Sequence, residues 1–77
     1  MKLKLIASNM TEISINSVGT ILFSYETPVA AMTPNGTFRT SKKWSSTTSF
    51  HINKWLRTNG LIAQEAPQEF FDNLLGN

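Results

Sequence analysis

The residues with the most chemistry to offer lie between Arg39 and Arg57. The run Arg39-Thr40-Ser41-Lys42-Lys43-Trp44-Ser45-Ser46-Thr47-Thr48-Ser49 combines three cations, one tryptophan and seven hydroxyls. Lysine and arginine bring charge to a phosphate, and hydroxyls donate to its oxygens. Tryptophan offers a face on which a nucleobase stacks. The Ser/Thr run also reads as the entry to a helix, whose free backbone N–H groups favour anions. Together these are the parts of a phosphate-and-base site. Singly, each has a plainer role, because Ser and Thr cap helices and a Lys-Lys pair is often solvated surface.

Catalysis is the weaker reading of the same stretch. His51 is the one conventional general base near neutral pH, and Ser45 to Ser49 lie close to it in sequence. A Ser-His pair needs a third group to orient the imidazole. No acid lies in this segment, so only Glu12 or Glu26 would have to reach it through the fold. The plain expectation is that His51 packs beside a helix or bonds a backbone carbonyl, with ligand contact as the alternative. Gly19, Gly36, Gly60 and Gly76 are isolated and form no phosphate-cradling loop. A non-enzymatic binding protein is expected, with no cofactor and no metal.

Thr48, Ile52, Trp55 and Leu56 recur at helical spacing and define a buried stripe. With Ile52 at its centre, Phe50, Lys54 and Arg57 fall on the opposite side. Phe50 is then either an exposed aromatic beside two cations or a residue covered by a C-terminal helix through Phe70 and Phe71. Trp55 belongs to the core. The candidate ligand-binding set is Arg39, Lys42, Lys43, Trp44, Ser46, Thr47, Thr48, Phe50, His51, Lys54 and Arg57.

The elements that must position these residues can be read along the chain. Leu3 and Leu5 alternate with Lys2 and Lys4, and Ile13 and Ile15 with Glu12, Ser14 and Asn16. Period two marks half-buried strands. Ser8-Asn9 turns the chain between them, and Ser17-Val18-Gly19 breaks the second run. Thr20 to Tyr25 suits a central strand. Pro28 suits a turn or the start of an edge strand, ahead of the apolar run Val29 to Met32. Thr33-Pro34-Asn35-Gly36 is a strong turn signal, making a hairpin with Thr37 to Thr40. The helix through Ile52 starts at a cap among Ser45, Ser46 and Thr47, and ends at Asn59-Gly60. A second helix is expected to begin with Pro67 at its first position, to bury Phe70, Phe71, Leu74 and Leu75, and to end at Gly76. The expected fold is α+β, an antiparallel meander of four to five strands followed by two short helices packed on one face.

Size and composition bound the rest. Seventy-seven residues make one domain, spanning 1–77, near the lower limit for folding alone. There is no Cys, so disulfides and thiolate metal sites are excluded. Small chains without such staples lean on self-association, so a homo-oligomer is expected. The N-terminal apolar run is broken by Lys4 and ends after Ala7, too short for a signal peptide, and no stretch is long enough to cross a membrane. A cytoplasmic protein is expected. The net charge is +2, but its distribution matters more. No acid occurs between Thr27 and Ile62, whereas Glu65, Glu69 and Asp72 fall in the tail. That split implies one basic face for an anionic partner.

The run from Ile21 to Leu56, with Ser24-Tyr25, Thr27-Pro28-Val29-Ala30, Thr47-Thr48, His51 and Trp55-Leu56, resembles a group of short, functionally uncharacterised bacteriophage proteins, as does the ending Gln68 to Leu75. The resemblance implies a phage-encoded accessory protein at work in a bacterial cytosol. By analogy with small phage proteins that act by binding, it implies an anti-defence protein that sequesters a phosphate-bearing nucleotide signal. The alternatives are a nucleic-acid-binding module, or a direct inhibitor of a host enzyme, using the same basic face.

Overall fold

The alternation of the first forty residues becomes five antiparallel strands joined by tight turns. The computed structural model describes residues 2–74. The strands are β1 (Lys2–Ala7), β2 (Met10–Ile15), β3 (Gly19–Ser24), β4 (Thr27–Thr33) and β5 (Gly36–Thr40). Helix α1 (Ser46–Asn59) follows, then β6 (Gln64–Ala66) and α2 (Gln68–Asn73). The six strands form one sheet in chain order. The first five are a meander, and β6 adds to the edge parallel to β5 once α1 has carried the chain back. The fold is therefore α+β, with one strand beyond the expected four to five. At three residues and mostly polar, β6 is too short to display a period.

The turns explain their residue types. Asn9, Ser17 and Tyr25 take φ of 60°, 67° and 60°, the left-handed region that lets connections of two or three residues close. Gly19 opens β3 at φ 120°, where an added Cβ would lie 1.9 Å from the Met32 carbonyl oxygen. Pro28 sits inside β4 rather than at a turn. Leu22 pairs with Ala30 and Phe23 with Pro28, so Val29 is an extra residue and β4 bulges there. A bulge tolerates the missing N–H of proline.

Adjacent strand residues face opposite ways, which gives the sheet two faces. On one face, Met10, Leu22, Val29 and Ala30 pack against Ile52, Trp55 and Leu56 of α1. On the other, Ile21 and Ala31 pack against Phe71 of α2, with Phe38, Phe70 and Leu74 around them. The two helices thus lie on opposite faces, not on the single face expected. The short β6 carries the chain over the sheet edge between them. Because α2 packs on β4, it does not reach β1, and Leu3 and Leu5 stay exposed at the far edge. The alternation in β1 therefore marks a strand but not a half-buried one.

Helix α1 begins where its chemistry dictates. Ser45 is the N-cap, and its hydroxyl accepts from the Thr48 N–H at 3.2 Å. Gly60 ends the helix at φ 66°, and the Leu61 N–H closes on the Leu56 carbonyl at 2.8 Å. Trp55 is buried and donates its indole N–H to Glu12 Oε1 at 2.8 Å, so its one polar atom is satisfied. Helix α2 starts one residue later than expected, with Pro67 as the cap rather than the first helical residue. The roles expected of Leu75 and Gly76 fall outside the described residues.

Candidate functional site

The chain between β5 and α1 lines a cavity of about 320 Å³ that is open to solvent on one side. Arg39 enters it from β5, and Lys42, Lys43 and Trp44 from the connecting loop. Ser45, Ser46, Thr48 and Ser49 come from the cap and first turn of α1, with Ile52 beneath them. Six of the expected contact residues therefore share one cavity: Arg39, Lys42, Lys43, Trp44, Ser46 and Thr48. The first turn of α1 carries no acid, so its free N–H groups add to the positive potential.

Several of these side chains are held in place. The Arg39 guanidinium donates to Asn53 Oδ1 at 3.0 Å, which ties β5 to α1. The Lys42 ammonium lies 4.2 Å from the centroid of the Trp44 ring, a cation–π contact. Trp44 donates its indole N–H to Gln68 Oε1 at 3.1 Å, and the Thr40 hydroxyl donates to the same oxygen at 2.8 Å. Gln68 Nε2 donates to the Pro28 carbonyl at 2.7 Å and to Asp72 Oδ1 at 3.1 Å. Both donors and both lone pairs of that amide are in use.

The remaining candidates lie elsewhere. Thr47 is exposed on the first turn of α1 but does not line the cavity. Phe50, Lys54 and Arg57 are exposed on the outer side of α1, and α2 does not cover Phe50 because it lies across the sheet. Lys54 borders a second hollow of about 100 Å³ with Lys4, Glu12 and Trp55.

His51 is only 6% exposed and packs between α1 and the sheet, in line with the plain expectation. Its Nδ1 lies 2.8 Å from Ser24 Oγ, a side chain rather than the backbone carbonyl expected. Ser24 Oγ in turn lies 3.0 Å from Thr48 Oγ1, which accepts from the Ser45 hydroxyl at 3.4 Å. The chain Ser45–Thr48–Ser24–His51 runs from the cavity wall into the interface between sheet and helix. Ser24 is 2% exposed, and a hydroxyl orients the imidazole where a Ser-His nucleophile needs a carboxylate. The pair satisfies buried polar groups. Tyr25 and Phe50 flank the imidazole, with ring centroids 6.0 and 6.4 Å away.

Three residues of the site were missed in the linear sequence. Glu65 lines the cavity because β6 pairs it with Arg39. Gln68 anchors Trp44 from the start of α2, and Ser24 anchors His51 from β3. The acidic tail and the hydroxyl-ended β3 run were the available signals, but only the β5–β6 register and the face occupied by α1 connect them to the site.

Among the described residues, no helix is long and apolar enough to cross a membrane. No curated protein and no solved structure matches the chain. A family model described as a family of unknown function, DUF8033, matches residues 1–73. That match spans nearly the whole chain, from β1 through α2, and so the chain belongs to the DUF8033 family.

Proposed function

We propose that this protein is a non-enzymatic binding protein that takes a phosphate-bearing nucleotide in the cavity between β5 and α1. One observation carries the reading. Arg39, Lys42, Lys43, Trp44, Ser46 and Thr48, separate in sequence roles, converge on a single cavity of about 320 Å³ at the N-terminus of α1. Charge, hydroxyl donors, free N–H groups and an aromatic face are the requirements of a phosphate with a base attached. The resemblance to short bacteriophage proteins extends the proposal to a phage-encoded anti-defence protein in the host cytosol, sequestering a nucleotide signal, as a homo-oligomer. Isothermal titration against a panel of linear and cyclic nucleotides and ADP-ribose derivatives tests it. Saturable binding to at least one is expected, and silence across the panel contradicts the reading.

A second reading, single-stranded nucleic acid, draws on Phe50. This ring is 61% exposed, next in the chain to Ser49 of the cavity wall, and Tyr25, 50% exposed, lies near the same His51. Aromatic faces beside a phosphate site can carry successive bases. It expects binding that weakens steeply with salt. A mobility shift at low salt with no complex rules it out.

A further inference from the structure

We propose that the cavity accepts one nucleotide unit by an exchange at Trp44. The base takes the indole face now covered by Lys42, and the Lys42 ammonium moves onto the phosphate. This rests on the reading of the cavity as an anion site and specifies what the anion is attached to.

The occupied state of Trp44 is the first observation. Its ring is 41% exposed, and the Lys42 ammonium lies 4.2 Å from its centroid. In this resting arrangement the face that would stack a base is taken by a cation. That contact is weak, because an exposed ammonium is strongly hydrated and sits on a flexible stem. A phosphate offers the same ammonium a charge-assisted hydrogen bond, which is stronger. Phosphate arrival therefore draws Lys42 off the ring.

The second observation is that the ring is anchored independently of the cation. The indole N–H is held by Gln68 Oε1 at 3.1 Å, and Gln68 is held by Thr40, Pro28 and Asp72. The bared indole is a pre-organised platform, so stacking on it costs little ordering. The third observation is size: about 320 Å³ lies at the low end of small-molecule sites and gives room for one nucleotide unit. Glu65, the carboxylate lining the cavity, supplies an acceptor for sugar hydroxyls or an exocyclic amine.

Base stacking on an aromatic side chain raises affinity by about 5- to 150-fold. Ribose 5-phosphate draws Lys42 off the ring as well, so stacking alone separates the two ligand classes, by on the order of tenfold.

The test compares ribose 5-phosphate with the four nucleoside 5′-monophosphates by equilibrium dialysis on the full chain. The indole Nε1–H resonances of Trp44 and Trp55 are followed by NMR and assigned with Trp44→Leu. Nucleoside monophosphates should bind about tenfold tighter than ribose 5-phosphate, shifting the Trp44 signal while that of Trp55 stays still. Trp44→Leu should abolish the difference between the two ligand classes. Equal binding of the two ligand classes, or a difference that survives Trp44→Leu, overturns the exchange and leaves the anion site standing. Binding of neither overturns both.

Discussion

Trp44 donates its indole N–H to Gln68 Oε1 across 3.1 Å, and so the loop before α1 is fastened to the first residue of α2. The two helices lie on opposite faces of the sheet, and this bond spans the edge between them. Gln68 therefore organises the cavity without lining it.

Gln68→Ala removes four hydrogen-bonding partners at once and leaves the part-buried Pro28 carbonyl and Thr40 hydroxyl short of theirs. A loss of about 1–2 kcal/mol is expected in urea unfolding. Faster hydrogen exchange at the Trp44 indole should accompany it. Unchanged exchange there means that Gln68 does not hold the loop.

Ser24→Ala tests whether His51 is a structural or a ligand-contacting residue. The substitution takes the hydroxyl from between Thr48 and His51, both buried, and should cost about 1–2 kcal/mol of stability. Nucleotide affinity, measured well below the unfolding transition, should stay within about twofold, since Ser24 does not line the cavity. A large loss of affinity with stability intact contradicts this assignment.

Glu65→Gln removes the carboxylate from an otherwise basic cavity. Orthophosphate should then bind about two- to fivefold tighter at low salt, with the gain fading as salt is raised. Weaker orthophosphate binding places the anion away from Glu65.

Gly19→Ala should prevent the β3–β4 ladder from closing. The new methyl would meet the Met32 carbonyl oxygen at 1.9 Å, on a backbone already at φ 120°. A cost above about 3 kcal/mol is expected from strain and clash together, visible as a lowered Tm or as failure to fold. Gly36→Ala, at φ 132° but with only the Phe38 ring near it, should cost less.

The parts of this protein with a clear period were legible in its sequence. Trp55 and Ile52 reach the core, Gly60 takes the left-handed cap, and Phe50 stays outside, as helical spacing implies. The meander followed from alternation and turn residues. What the chain did not disclose depends on long-range register. Three residues, two of them polar, became β6 because β5 offered an unpaired edge, and that pairing set Glu65 beside Arg39 and sent α2 to the opposite face. His51 packs inside as its plain reading expects, but its partner, Ser24 on β3, is 27 positions away and could not be read from the helix alone.

The cavity between β5 and α1 is the proposed place of the ligand. The most direct measurement is a map of backbone amide shifts by NMR as a nucleoside 5′-monophosphate is titrated into the labelled protein. The shifts should concentrate at residues 39–49 and at Glu65, while the β1–β2 hairpin stays unmoved. Shifts centred on Leu3 and Leu5, or on Tyr25 and Phe50 with the cavity silent, would contradict the account.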